Sequence, residues 1–170
     1  SQLGNEGWSY EEVLPYFKKS ENNENGESEF HGSGGELSVQ NPIFDNNPLH
    51  RCFLDAGIQA GHKYIEDINN FDNEGFGPCP QTISNGYRAS TSFSFINPIK
   101  DRKNLTIITK SITKRLLFEK SKCIGLEYIN GKNVHQVYAE REVLVCGGAI
   151  NSPQILQLSG IGKGDYIKKW

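Results

Sequence analysis

Residues 146–162 read CGGAINSPQILQLSGIG, and the interpretation of this stretch decides the fold. Val143-Leu144-Val145 feeds into it. Three strand-formers without polar alternation predict a strand covered on both faces. Gly147 and Gly148 follow at once; they permit backbone angles closed to other residues and let another group approach the main chain. Ser152-Pro153 predicts a helix start, with serine as cap and proline in the first position. Ile155, Leu156 and Leu158 pack inward on this reading, and Gly160 ends the helix. A strand, a glycine turn and a helix N-terminus together form an arrangement that receives a phosphate or another part of a nucleotide. The glycines do not follow G-x-G-x-x-G, however, and a purely structural turn has the same local pattern.

Upstream of this stretch the texture is β. Residues 104–119, 122–131 and 132–146 predict three strands, with Asn130-Gly131 as the hairpin turn between the last two. Ile124, Leu126 and Tyr128 alternate onto one side. The first hundred residues are different. GWSYEEVLPYFKKSE (7–21) predicts a helix opened by a Ser9/Glu12 capping box and interrupted at Pro15. Residues 22–36 predict a loop, followed by a short strand in ELSVQ. NPLHRCFLDAGIQAGH (47–62) predicts a helix capped by Asn47, with Pro48 in its first turn and Gly61 at its end. Its predicted apolar stripe is Leu49, Cys52, Phe53, Ala56 and Ala60. Residues 63–88 are dense in Asn, Asp, Gly and Pro, but Tyr64, Phe71, Phe76 and Tyr87 interleave them, which argues for an ordered, irregular segment. ASTSFSFINP predicts a short helix; Arg88, Ser90 and Thr91 stand where the loop enters it, and we read them as capping it rather than touching an anionic cofactor.

Bulk properties bound the function. The chain has 170 residues and a formal net charge of -2, so no overall basic field exists to hold nucleic acid. Acidic residues crowd positions 1–30 and the last part leans basic, as solvated faces commonly do. Cys52, Cys79, Cys123 and Cys146 form no C-x-x-C pair; we read them as reduced thiols in or near the core, without zinc. No apolar run approaches the roughly 18 residues needed to span a bilayer. The sequence contains no methionine and opens on Ser1, and is read as an internal fragment.

Local chemistry singles out no catalytic residue. His31, His50, His62 and His135 lack metal-ligand spacing. FHGSGGE (30–36) suggests a tight turn before a strand more than a phosphate cradle, since no helix follows. There is no G-x-S-x-G and no Cys/His pairing for a nucleophile.

The motifs GNEGWSYEEVLPYFKKSE, FHGSGGELSV, EGFGPCPQTISNGYRASTSFSFINP, RKNLTIIT and GGAINSPQILQLSGIG occur in that order. Together they closely resemble the glucose–methanol–choline (GMC) family of flavin-dependent oxidoreductases. The last is similar to the family pattern G-A-x-x-S-P-x-x-L-x-x-S-G-I-G, and the resemblance runs over essentially the whole chain. QAGH, EGFGP and RASTSFSFI lean toward the members that act on choline and related alcohols.

The resemblance implies an α/β, mixed α+β fold: part of a doubly wound FAD-binding domain with a β-meander, plus part of an antiparallel-sheet substrate domain. It implies a helical and loop connection over 1–34, substrate-domain and connecting residues over 35–100, and FAD-domain residues over 101–170. The cofactor it implies is FAD. The backbone at Thr113, where the family usually carries valine, lies against the adenine on this reading; Gly147, Gly148, Ala149 and Ser152 lie near the ADP part. The substrate implied is a small alcohol, with choline as the candidate, oxidised by hydride transfer to flavin, with oxygen or a quinone as electron acceptor and no metal or nucleic acid. The family's glycine motif and its alcohol-facing histidine pair map to no residue of this sequence. A cytoplasmic or peripherally membrane-associated location is expected. The rival readings are a family member acting as a lyase on cyanohydrins, or a chain that is catalytically inert by itself.

Overall fold

Ser9 opens the first helix, α1 (Tyr10–Ser20), through a complete capping box. Its Oγ accepts from the Glu12 amide at 3.3 Å, and the Glu12 carboxylate accepts from the Ser9 amide at 2.9 Å. The computed structural model that shows this describes residues 3–42 and 47–168. The expected break at Pro15 does not occur, and α1 runs through it. Pro15 withholds one amide from the Glu11 carbonyl, but both residues are exposed, so water serves that carbonyl.

The chain divides into two compact units, one ending at Leu105 and the other beginning at Thr106. In the first, β1 (Glu21–Asn23) follows α1 directly and pairs in parallel with β2 (Leu37–Val39). A parallel pair needs a long connection. Residues 24–36 supply it and fold back tightly, with Asn23 N–H donating to the Gly32 carbonyl and Gly35 N–H to the Glu21 carbonyl, both at 3.0 Å. A Cβ on Gly32 would stand 1.8 Å from the Lys18 carbonyl oxygen, which is why FHGSGGE carries glycine there.

Helix α2 (Pro48–Gln59) starts with the Asn47 side chain accepting from the Leu49 amide. It ends in a Schellman motif: Gly61 at φ +91° donates to Ile58, and His62 to Gly57. The buried face differs from the expected stripe. Leu54 and Gly57 are buried, whereas Leu49 and Phe53 are 74% and 67% exposed and Cys52, Ala56 and Ala60 also face out. The Phe76 ring lies over Gly57, so the glycine side of the helix is the packed one.

The irregular segment after α2 is ordered by a bridge between Tyr64 and Phe76. A two-residue hairpin then joins β3 (Ile83–Ser84) to β4 (Tyr87–Arg88) through Asn85-Gly86, whose φ values of 50° and 78° suit a type I′ turn. The expected short helix is a π-turn, Ser92–Ile96, continued by a 3₁₀ turn, Asn97–Ile99. Ser90 is its capping side chain, accepting from the Phe93 amide at 3.2 Å; Thr91 caps nothing and Arg88 belongs to β4.

The second unit is an antiparallel meander, β5 (Ser111–Glu119), β6 (Lys122–Asn130) and β7 (Asn133–Tyr138), followed by α3 (Gly148–Leu158) and α4 (Gly164–Ile167). The strands are shorter than the sequence predicts: 104–110 and 139–146 lie outside the ladder. Val143-Leu144-Val145 therefore forms no strand, and Leu144 is 75% exposed. A strand exists only against a partner, and the described residues provide none here. The β6–β7 turn is also displaced by one residue. Asn130 pairs with Asn133, so Gly131-Lys132 forms the loop, and Asn130 turns its side chain to the Thr109 carbonyl and Ser111 Oγ. Gly131 at φ +63° supplies the positive first position of a II′ turn.

Among the described residues the fold is thus mixed α and β with small sheets, one parallel pair and two antiparallel sets. Leu54, Ile65, Ala89 and Leu116 are the buried apolar residues among those described. The cysteines are not core thiols: Cys52, Cys79 and Cys146 are exposed, Cys123 is half-buried, and all four are free. Among the described residues no helix is long and apolar enough to cross a membrane.

Candidate functional site

Helix α3 begins at Gly148, four residues before the expected start at Ser152-Pro153. Gly148 has φ +83°, a left-handed conformation that a side chain would strain. A Cβ on Gly147 would come within 3.1 Å of the Asn151 Cβ and 3.2 Å of the Ser152 amide, so that position is tight as well. Ser152 does not cap in the ordinary sense. It sits inside the helix, and its Oγ accepts from the Gly147 amide at 2.9 Å, folding the glycine turn onto the first helical turn.

Among the described residues no side chain caps the N-terminus of α3. The amides of Gly148, Ala149 and Ile150 belong to its first turn and have no intrahelical acceptor, and the three residues are exposed. An eleven-residue helix carries partial positive charge at this end. Open amides, a positive dipole end and two positions without side chains together suit an anionic, phosphate-bearing group. The residues present therefore fit FAD.

Thr113 is half-buried on β5, opposite Tyr128, immediately before a bulge at Lys114. It lies in the same unit as the glycine turn, and α3 packs on β5. The hydrogen bond joining helix to strand is at the other end, where the Leu116 amide donates to Ser159 Oγ at 2.8 Å. Ala149 is about 15 Å from Ser159 along the helix axis. The structure brings Gly147, Gly148, Ala149 and Ser152 together in one turn, and no hydrogen bond among the described residues joins Thr113 to them.

The bulge directs two cations onto one carboxylate. Glu127, only 5% exposed, has Lys114 Nζ at 2.9 Å and Arg115 Nε at 3.3 Å from its Oε1, and Gln136 donates to Oε2 at 3.1 Å. The Lys114 ammonium first, then Gln136 and Arg115, hold the Glu127 carboxyl down to a pKa of about 2.

The sequence profile of the GMC oxidoreductase family matches residues 1–168. The chain belongs to the GMC oxidoreductase family. It is 44% identical over 167 residues to an oxygen-dependent choline dehydrogenase of Pectobacterium atrosepticum, covering 98% of this chain and 30% of that protein. Over 172 residues it is 46% identical to an oxygen-dependent choline dehydrogenase of Yersinia pseudotuberculosis, covering 99% of the chain and again 30% of the relative. Among solved structures, pyridoxine 4-oxidase from Mesorbium loti superposes with a TM-score of 0.85 at 32% identity, over 97% of this chain and 32% of that one. An FAD-dependent oxidoreductase from Chaetomium thermophilum gives the same score at 27% identity, over 99% and 32% of the two chains. The chain thus spans about 30% of the length of the curated relatives it matches.

In this GMC chain the histidines are structural partners or packing groups where their contacts are defined. His62 packs on Phe76 with ring centres 5.2 Å apart, and His135 stacks on Tyr128 at 5.2 Å. Among the described residues no set of His, Cys, Asp and Glu forms a metal site. His31 is the one that sequence reasoning missed. Its Nδ1 lies 2.9 Å from Glu21 Oε1 and its Nε2 lies 2.8 Å from Asp67 Oδ2. Separations of 10 and 36 residues follow no helical or strand period, so only the tight FHGSGGE turn hinted that His31 is held in place.

Proposed function

We propose that this chain supplies the adenosine-end support of FAD in an alcohol-oxidising GMC enzyme. The observation that carries the reading is the uncapped, exposed glycine start of α3, with its first amides open to an anion. Gly147, Gly148 and Ala149 would hold the ADP part through main-chain amides, with Ser152 fixing the turn. The Thr113 backbone would lie against the adenine, a contact indifferent to threonine in place of valine. FAD held there would supply the hydride acceptor for the alcohol carbon. This chain's residues bind and orient it; none of those described is assigned as the base.

The substrate proposed is a small alcohol, choline first, and the acceptor is oxygen; the names of the relatives support both. No observation favours cyanohydrin lysis. The chain by itself we infer to be inert, since it spans about 30% of its relatives and leaves large apolar groups such as Ile150, at 82%, exposed.

The test is FAD retention by the holoprotein that contains this chain. Ser152→Ala and Gly148→Ala are expected to weaken FAD binding about tenfold or more, equal to about 1.4 kcal/mol, read by visible absorbance after dialysis. Full flavin content and unchanged affinity in both variants would remove the glycine turn from the cofactor site. A wild-type holoprotein without flavin absorbance, or one that leaves choline and other alcohols unoxidised, would sink the activity itself.

A further inference from the structure

In the first unit, β1, the 24–36 connection and loop 66–74 meet at His31. Its side chain is 12% exposed and lies between two carboxylates: Glu21, at the start of β1, and Asp67, in the loop 66–74. Asn23 Nδ2 stands 3.1 Å from Nδ1. From α1, Lys18 faces the same turn, donating to the Ser28 carbonyl at 2.6 Å, with the Glu27 carboxylate 3.7 Å from its ammonium and the Glu29 carbonyl at 3.5 Å. The charged groups on the ring are therefore Glu21 and Asp67, with Lys18 and Glu27 on the turn that carries it.

The two carboxylates are held very differently. Glu21 also accepts from the Gly32 amide at 2.9 Å and from Asn23 at 3.1 Å. Asp67 Oδ2 has His31, while its Oδ1 serves only the Asn69 amide within its own loop. Among the described residues, His31–Asp67 is the one hydrogen bond from loop 66–74 to the α1–β2 side; the others are internal, together with Lys63–Asp72 near the loop's base. The loop bears Ile68 and Phe71, which line a largely apolar cleft of about 600 Å³ together with Phe17, Phe30, Leu37 and Val39.

An imidazolium has two N–H groups and can donate to both carboxylates at once. A neutral imidazole has one; the Nε2–H tautomer would set its Nδ1 lone pair against both Glu21 oxygens, at 2.9 and 3.1 Å, with one Asn23 N–H at 3.1 Å to offset them, so the Nδ1–H tautomer is kept and the Nε2 lone pair faces Asp67. Glu21 keeps its remaining partners and stays; Asp67, more exposed at 29% against 16%, has none to keep it. We propose that His31 is a proton-operated latch, which as an imidazolium ties loop 66–74 to β1 and on deprotonation releases Asp67 and opens the apolar cleft.

Burial disfavours the charged ring, but the hydrogen bonds and charges of Glu21 and Asp67 outweigh it and raise the His31 pKa above the ordinary 6.5. The latch is therefore fully closed below 6.5 and is lost as pH rises through the raised value. Burial likewise works against the Glu21 charge, yet the Gly32 amide and His31 lower its pKa below 4.5, which keeps the β1 side of the latch charged in mild acid.

Hydrogen–deuterium exchange of the holoprotein tests the latch. Peptides covering 66–74 are expected to be protected at about pH 5.5, with protection, after correction for intrinsic rates, falling by up to about tenfold per pH unit as pH rises from 6.5 to the raised His31 midpoint and levelling off above it. Asp67→Asn and His31→Gln should exchange fast at both ends of the range while α1 and the β5–β7 meander exchange as in wild type. Protection in wild type that ignores pH, or survives in a folded D67N, would overturn the proposal. Should both variants unfold globally, exchange of the imidazole C2 hydrogens in wild type decides. A His31 midpoint above those of His50, His62 and His135 supports the latch, and one at or below them removes it.

Discussion

Ser159 Oγ accepts the Leu116 amide at 2.8 Å while donating to the Ile155 carbonyl at 2.6 Å. One hydroxyl thus closes the last turn of α3 and fastens that helix to β5. Leu116 is 7% exposed, so its amide has little access to water. Ser159→Ala leaves that donor unsatisfied, at a cost of about 1–3 kcal/mol. A thermal melt should show it as a lowered Tm, and Ser159→Thr, which keeps the hydroxyl, should recover most of the loss. A wild-type Tm in S159A would mean that the helix docks without this bond.

The Glu127 cluster carries a pH signature. Its carboxyl pKa falls from 4.5 to about 2 because Lys114, Gln136 and Arg115 favour the charged form. A depressed folded pKa contributes stability that is present above 4.5 and lost as pH falls toward about 2. Glu127→Gln forfeits that contribution at neutral pH and also leaves Lys114 and Arg115 facing each other across the bulge. Urea unfolding of wild type and E127Q should differ most at neutral pH and converge below 4.5. A gap constant across that range would remove the carboxylate charge as the cause.

The capping box of α1 makes a smaller prediction. Ser9→Ala removes the acceptor of the Glu12 amide and frees the Glu12 carboxylate from its reciprocal role. A loss of about 1 kcal/mol is expected, read as faster amide exchange across the first turn of α1. Ser9→Asp, which keeps an acceptor and adds charge at the positive helix end, should lose nothing.

What was legible in the sequence is what short-range chemistry determines. Ser9/Glu12, Asn47-Pro48, Gly61 and Gly160 each mark a helix end by the groups within four residues of it, and all four act as read. Val143–Val145 did not become a strand, because strandness depends on a partner that no local pattern reveals. Pro15 and Pro153 both sit inside helices, since each forfeits a single bond in a turn that water reaches. The glycine turn at 147–149 was visible as a motif, but the Ser152-to-Gly147 tether was not. His31 was invisible as a partner of Asp67 because the loop that joins them has no period to count.

Gly57 decides which face of α2 packs, and the sign of its substitution can be worked out beforehand. Alanine in a helix interior is favoured over glycine by about 1 kcal/mol. Against that, a Cβ at Gly57 would lie 2.5 Å from the Phe76 ring, well inside contact distance. Phe76 cannot simply swing away: Phe53 sits with its ring centre 5.3 Å distant, His62 at 5.2 Å, and the Phe76 backbone is pinned to Lys63 and Ile65. Overpacking of this kind costs about 1–3 kcal/mol, so the clash wins and Gly57→Ala should destabilise. Phe76→Leu alone should also destabilise by removing ring contacts, but G57A combined with F76L should be less damaging than the sum of the two, because the smaller side chain makes room for the methyl. A double-mutant cycle in urea reads the coupling directly. Strict additivity would mean that Gly57 and Phe76 do not press on each other, and that the packed side of α2 lies elsewhere.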